Sequence, residues 1–150
     1  MYTIEDFIPH RDRMRLIDDI VEVDDDHCVT QSVASPLWPL CDGERINSII
    51  IVELVAQTAS AFVGWLRRNK VKMGGKGFIV GIKKADFFVP DIPVGSRLRT
   101  SCKMRVTLDN AYGEFEGDVK DGNTSYGHVL LQTFSTQMPA ADKGNLLPKT

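Results

Sequence analysis

The sequence predicts an α+β domain in which an antiparallel β-sheet wraps around one long central helix. Two β-rich segments come first, a long and almost wholly apolar segment follows, and four further β-rich segments complete the pattern. A helix that is apolar on nearly every side must be buried by other elements, and the segments that follow it are β-rich. This order of elements is typical of α+β proteins.

The N-terminal part of the chain is predicted to form a short helical turn and a hairpin. Thr3 or Asp6 begins the turn, which ends before Pro9. Residues 14–23 are β-rich, residues 27–34 are predicted to form a second strand, and the acidic run between them is typical of a turn. Two prolines and a glycine in the next segment, residues 35–43, predict irregular structure there.

The apolar segment is predicted to be a buried helix that Asn47 or Ser48 caps and that runs to about Asn69. A membrane span is the alternative at this length, but Glu53 and Gln57 lie inside it. A carboxylate near the middle of a bilayer costs at least ~2.5 kcal/mol, so we expect no membrane span. The strands expected to surround the helix are residues 78–89, 97–108, 112–120 and 125–136.

Size and charge limit the classes of protein that fit. A chain of 150 residues, 43% hydrophobic and 25% charged, is typical of one globular domain, which we place at residues 1–136, followed by a loosely ordered tail at residues 137–150. The net charge of −2 argues against a nucleic-acid partner. Three cysteines without a Cys-x-x-Cys pair, and no secretory leader, predict a cytoplasmic location. No two of the three histidines have metal-ligand spacing, so neither a metal nor another cofactor is expected.

Three stretches are similar to a known family. They are Ile8-Pro-His-Arg with Met14-Arg-Leu-Ile-Asp, Ile51-Val-Glu-Leu-Val-Ala-Gln, and Val80-Gly-Ile-Lys-Lys-Ala-Asp-Phe with Pro93-Val-Gly. Their order and spacing resemble the 3-hydroxyacyl-(acyl carrier protein) dehydratases of the FabZ/FabA type over roughly residues 4–134. The resemblance implies the hot-dog fold, a role in fatty-acid or polyene-type lipid synthesis, and a substrate that is a thioester of acyl carrier protein or coenzyme A.

The family resemblance fails at one loop. The family carries a histidine in a Gly-His-Phe-Pro-Gly loop before the helix, whereas this chain has Trp38-Pro-Leu-Cys-Asp-Gly, with Pro39 near the histidine position. The chain therefore looks like a divergent branch. Two alternatives stay open: an acyl thioesterase of the same fold, and a non-catalytic acyl-carrier-binding subunit.

Glu53 is the residue expected to be catalytic. Its apolar neighbours on the helix predict a desolvated carboxyl with a raised pKa, which suits a general acid for the departing β-hydroxyl. A structural carboxylate at a dimer seam is the alternative. Gln57, four residues on, shares that helix face and would contact substrate, orient Glu53 or bond to buried backbone. Ser60 and Gly64 continue this face with small residues, which leaves room for an acyl chain or for close packing.

His10 is the best substitute for the missing histidine, because an imidazole suits abstraction of the α-proton. The alternative is that it anchors the N-terminal turn. In the loop, Cys41 lacks a visible histidine partner for nucleophilic catalysis, and Asp42 is either a second acid or base, or a turn residue.

The start of the helix is the expected binding site for the thioester oxygen. Gly43 and the amides of Asn47 and Ser48 are predicted to offer free N–H groups to that oxygen.

The predicted partners are a second copy of the chain and an acidic carrier protein. A sheet wrapped around one helix leaves an open edge, which predicts a homodimer that could assemble further. A basic cluster after the helix would attract the acidic carrier, although cations there also complement the helix dipole. The cluster consists of Arg67, Arg68, Lys70, Lys72, Lys76, Lys83 and Lys84.

Overall fold

The long helix packs against one face of a large antiparallel sheet, and a computed structural model describes residues 2–69, 77–108 and 112–135. In the described residues there are two 3₁₀ turns, Ile4–Asp6 and Asp12–Met14, and one α-helix, α1 (Ile50–Asn69). The strands are β1 (Asp19–Val23), β2 (His27–Val33), β3 (Arg45–Asn47), β4 (Gly77–Phe87), β5 (Asp91–Pro93), β6 (Arg97–Leu108), β7 (Tyr112–Asp121) and β8 (Thr124–Ser135).

Six strands form the main sheet in the order β1-β2-β6-β7-β8-β4, and every neighbouring pair is antiparallel. Helix α1 packs on one face of this sheet, and the side chains between the helix and the central strands form the buried core. Along β7 buried and part-exposed residues alternate, as the two-residue period of a strand requires. The helix core includes Ile51, Leu54, Val55 and Phe62, and the sheet contributes Leu98, Val119 and Leu131. The predicted architecture is confirmed.

A second, small sheet holds the start of the helix. Strands β3 and β5 pair antiparallel, with Asn47 opposite Asp91 and Ile46 opposite Ile92. Neither strand was predicted, because three residues are too few to display a strand period. Their pairing places the residues just before α1 against the turn that follows β4.

One predicted strand boundary is wrong. The first strand begins at Asp19, not at residue 14, because Met14 ends a 3₁₀ turn and the side chains of Leu16 and Ile17 are buried on the helix. The helix begins at Ile50 because Asn47 belongs to β3. The other strand predictions agree with the structure to within two residues, whereas the predicted tail lies outside the described residues.

Helix α1 is the one candidate membrane span among the described residues, by length and composition alone. In this structure 61% of its most apolar stretch is buried inside the protein. The apolar side chains are thus largely covered by the sheet, as in the core helix of a globular domain.

Candidate functional site

Residues 2–18, here called the N-terminal segment, contact helix α1 at three places. Phe7 lies against Gly64, His10 lies beside Glu53, and the backbone of residues 14–17 is bonded to Gln57. The segment thereby brings together two predicted site residues, His10 and Glu53, that are far apart in the sequence. The third, Gln57, lies on the same helix face as Glu53, as its spacing predicted.

The His10 ring faces the Glu53 carboxylate. Its Nε2 lies 3.5 Å from Oε2 of Glu53, and the two side chains are 27% and 37% exposed. The other ring nitrogen, Nδ1, is buried and has no hydrogen-bond partner among the described residues. Of the two nitrogens, only Nε2 can therefore exchange a proton with a substrate at this surface.

Gln57 is fully buried, and its amide orientation follows from its partners. Its Oε1 accepts hydrogen bonds from the backbone N–H groups of Leu16 (2.9 Å) and Ile17 (3.4 Å). Its Nε2 must then be the donor, and it donates to the carbonyl of Met14 (2.6 Å) and to Oε2 of Glu53 (3.0 Å). Gln57 therefore bonds buried backbone and contacts Glu53, whereas its predicted contact with substrate stays a prediction.

The two oxygens of Glu53 are not equivalent. Oε2 accepts a hydrogen bond from Gln57 and lies next to Nε2 of His10. Within the described residues Oε1 has no hydrogen-bond partner. A substrate can therefore approach Oε1 without displacing a hydrogen bond described for Glu53.

The predicted desolvation of Glu53 is wrong for the single chain. The expectation rested on apolar sequence neighbours, but Ile51 and Leu54 point into the core while the carboxylate, at 37% exposure, points to the side of the helix. Neighbours in sequence lie about 100° apart around a helix, so they do not enclose one another's side chains. The N-terminal segment covers this carboxylate on one side only.

The amides expected to bind a thioester oxygen are already engaged, and that prediction is wrong. The N–H of Asn47 donates to the carbonyl of Leu40 (3.0 Å), and the N–H of Ser48 donates to that of Pro90 (3.2 Å). These bonds exist because β3 and β5 pair just before the helix. Gly43 is exposed at a turn with φ +110°, and its N–H points at Sγ of Cys41 (3.2 Å).

The loop before the helix offers no substitute for the family's histidine. One carboxylate oxygen of Asp42 accepts the backbone N–H groups of Glu44 and Arg45, which holds the pKa of Asp42 below its usual value. Asp42 is therefore a turn residue. Cys41 is half-buried and has no histidine within bonding distance among the described residues.

Arg11 is a residue of the site that the sequence did not indicate. Its guanidinium donates to the backbone carbonyls of Ile8 (2.7 Å), His10 (2.8 Å) and Glu5 (2.9 Å). These bonds close the turn that carries His10. The only available signal was its position directly after His10 in the Pro-His-Arg stretch.

Three described members of the predicted basic docking cluster make internal contacts. Lys83 lies 3.1 Å from Glu114, and Lys84 lies 3.7 Å from Asp86. Arg68 donates to the carbonyl of Asp6. Lys70, Lys72 and Lys76 lie outside the described residues. In the described part of the chain, no group of three or more His, Cys, Asp or Glu side chains is placed to hold a metal ion.

An antiparallel sheet around one helix, with an acid on that helix beside a histidine, defines a hot-dog domain of the dehydratase class. The chain belongs to the ApeP-like family, described as ApeP dehydratase, which it matches over residues 2–143.

A curated relative agrees with the family assignment, and solved structures agree with the fold. A curated 3-hydroxyacyl-[acyl-carrier-protein] dehydratase FabZ from Streptococcus uberis is 30% identical over 124 residues, which cover 78% of this chain and 86% of the relative. The dehydratase heterocomplex ApeI:P from Xenorhabdus doucetiae superposes with a TM-score of 0.80 at 24% identity, over 91% of this chain and 93% of that one. The Escherichia coli PaaI protein has a TM-score of 0.61 at 11% identity, over 77% and 81% of the chains.

The family match and the FabZ relative confirm the predicted resemblance to FabZ-type dehydratases and the dehydratase-like role that it implied. The structural matches confirm the hot-dog fold.

Proposed function

We propose that this chain takes part in dehydrating a 3-hydroxyacyl thioester, with Glu53 and His10 as its catalytic residues. The observation that carries the proposal is the shared contact at Oε2 of Glu53. His10 Nε2 approaches that oxygen and Gln57 donates to it, which leaves Oε1 for the substrate. An acid and a base next to each other are the two groups that elimination of water requires.

The reaction divides between the two residues as follows. Nε2 of His10 takes the α-proton, and the electron pair of that C–H bond forms the double bond between the α and β carbons. The β C–O bond breaks, and the proton on Oε1 of Glu53 joins the departing hydroxyl to give water. One proton has moved to His10 and one has left Glu53, so a proton that passes from Nε2 of His10 to the Glu53 carboxylate, 3.5 Å away, prepares the next cycle.

A second chain is needed to complete this site. Glu53 is more than one-third exposed, and the helix-start amides that would bind a thioester oxygen are engaged. Large apolar side chains near the start of α1 are exposed as well: Leu37, Leu40 and Ile49. We infer that a second copy covers this region, which would desolvate the carboxylate as the sequence predicts.

The sheet offers a place for that second copy. Strand β4 is an edge of the main sheet, since it pairs only with β8 among the described strands. Ile82 on β4, together with Phe87 and Phe88 at its end, is exposed. An open edge with exposed apolar side chains favours pairing with another chain. We therefore propose that two copies pair through β4 as a homodimer, alone or within a larger oligomer.

Pro39 supports a second candidate, in which the chain is a subunit without activity of its own. The dehydratase family carries a histidine near this position, and a similar solved structure is described as a dehydratase heterocomplex. In that case the second chain is a different hot-dog protein, and it supplies the missing imidazole.

The proposed substrate is an acyl chain on an acyl carrier protein, in a cytoplasmic pathway of fatty-acid or polyene-type lipid synthesis. The support is the name of the FabZ relative, which specifies an acyl carrier protein for that enzyme. Coenzyme A thioesters are the comparison substrate.

Mass spectrometry of 3-hydroxyacyl thioesters of several lengths, on both carriers, tests the proposal. Loss of one water from the thioester is the expected result. Release of a free acid would replace the dehydratase proposal with the thioesterase alternative. No change with any substrate, followed by loss of water once a second hot-dog protein is added, would favour the subunit.

Sedimentation at micromolar concentration tests the assembly. A dimeric mass is expected. A stable monomer would overturn the proposed second copy.

A further inference from the structure

We propose that Gly64 and Arg68, on the last two turns of α1, are positioning residues for His10. They hold the N-terminal segment against the helix and so set the distance between His10 and Glu53. The catalytic importance of that distance rests on the proposed function, but the positioning itself does not.

Gly64 allows the closest approach between the N-terminal segment and the helix. A Cβ atom built on Gly64 would lie 2.5 Å from the carbonyl oxygen of Phe7 and 3.1 Å from its Cα. Both are backbone atoms, so the clash cannot be relieved by a side-chain rotation. Glycine is unfavourable inside a helix, and this contact accounts for its presence here. At Gly64, the room left by the missing side chain is thus filled by the protein itself.

Arg68 contacts the same part of the N-terminal segment. Its guanidinium lies 4.7 Å from the centre of the Tyr2 ring and 5.6 Å from that of Phe7, and it donates to the carbonyl of Asp6 (3.3 Å). The rings of Tyr2 and Phe7 are themselves in edge contact, with centres 5.4 Å apart. A planar cation suits this arrangement, because it can stack and donate at once.

The chain between Phe7 and His10 is short and is held by hydrogen bonds, so a displacement of Phe7 also displaces His10. Ile8 is buried in the core at 3% exposure. Arg11 donates to the carbonyls of Ile8 and His10 and to that of Glu5, which joins the two sides of the turn. This turn cannot stretch freely to absorb a shift at one end.

The other end of the segment is held independently. Gln57 bonds to the backbone of Met14, Leu16 and Ile17, one helical turn beyond Glu53. His10 therefore lies between two attachments to the same helix. The attachment at Gln57 also contacts Glu53 itself, whereas the contacts described for Gly64 and Arg68 are with residues before His10.

The test is Gly64→Ala, with Arg68→Ala as a second variant that removes contacts without adding an atom. In a helix interior, a change from glycine to alanine ordinarily raises the free energy of unfolding. A lower free energy of unfolding in Gly64→Ala would therefore indicate the clash with Phe7. The primary readout is the shift of the His10 ring resonances, in NMR spectra of the whole protein, when Glu53 is changed to Gln. Wild type should show a clear shift, Gly64→Ala should lose most of it, and Arg68→Ala should reduce it.

Turnover gives an independent readout if the proposed reaction is observed. Gly64→Ala should lower it about 10²-fold, the scale expected for a catalytic group displaced by about 1 Å. In a His10→Ala background the same substitution should change turnover by less than about twofold, since its effect passes through His10.

Gly117→Ala is the matched control. Its Cβ would lie 2.7 Å from a methyl of Val55, under the helix and away from the N-terminal segment. It should lower stability and keep the His10 shift. If Gly64→Ala does not fold, Arg68→Ala decides alone. If the folded variants keep the wild-type shift of the His10 resonances, the positioning proposal is overturned. If the variants lose that shift but the wild-type protein dehydrates no substrate, only the proposed function is overturned.

Discussion

Gln57 donates a 3.0 Å hydrogen bond to the Glu53 carboxylate. The orientation of the Gln57 amide is set by two backbone N–H groups, which donate to its oxygen. This relationship makes one oxygen of Glu53 an obligatory acceptor and leaves the other for chemistry. It also joins the N-terminal segment to the acid through one buried side chain. The folded N-terminal segment therefore fixes the amide that contacts Glu53.

Glu53→Gln should retain the fold and lose turnover by roughly 10²-fold or more, because an amide keeps the shape but cannot exchange a proton. Gln57 would still find an acceptor in the new side-chain carbonyl. The free energy of unfolding should change by less than about 1 kcal/mol, since the carboxylate is part-exposed. Turnover by mass spectrometry and thermal unfolding measure the two effects.

The exposed Glu44 provides the control for that variant. Glu44→Gln makes the same chemical change away from His10 and should leave turnover as it is. A Glu53→Gln protein as active as wild type on every accepted substrate would end the catalytic assignment.

If Nε2 is the base, His10→Ala should remove most of the activity. If the ring merely anchors the N-terminal segment, activity should fall only a few-fold. The buried and unpaired Nδ1 means that the anchoring contribution of the ring is small. Steady-state rates at several pH values measure the loss. An active His10→Ala protein combined with an inactive Cys41→Ala or Asp42→Ala would move the base to the loop before the helix.

Gln57→Leu should cost about 2–4 kcal/mol of stability, because it leaves the N–H groups of Leu16 and Ile17 and the carbonyl of Met14 buried without partners. Turnover should fall as well. Chemical denaturation gives the stability change. Gln132→Leu is the comparison, since the half-buried Gln132 donates to the hydroxyl of Tyr112. Equal losses from the two variants would show that the Gln57 network adds little.

His27 should make stability depend on pH near neutrality. The carboxylates of Glu22 (2.7 Å) and Asp24 (2.9 Å), one on each ring nitrogen, raise the pKa of His27. The folded protein then binds this proton more tightly than the unfolded chain. The stabilisation is complete below the unfolded value of about 6.5 and is lost as the pH rises through the folded pKa.

His27→Asn should abolish that contribution. The difference in unfolding free energy between wild type and variant should be largest at the acid end of this window and shrink as the pH rises. Denaturation curves at a series of pH values measure it. The difference should also vanish when Glu22 and Asp24 are both changed to their amides. A difference that grows with pH would contradict the assignment.

Local pattern alone determined much of this protein. The long apolar helix, the acidic turn before His27 and the strand at residues 97–108 follow from periodicity and turn residues, which act over a few positions. The shared face of Glu53 and Gln57 follows from helical spacing. The resemblance of three short stretches then indicated the family.

Tertiary structure decided the rest. The three-residue strands β3 and β5 exist only because they pair with each other, and their pairing occupies the amides of Asn47 and Ser48. The exposure of Glu53 depends on which distant parts of the chain cover it, and not on its neighbours in sequence. The approach of His10 to Glu53 needs a glycine and an arginine far along the helix. Each of these contacts joins residues distant in sequence, and only the folded chain holds them together.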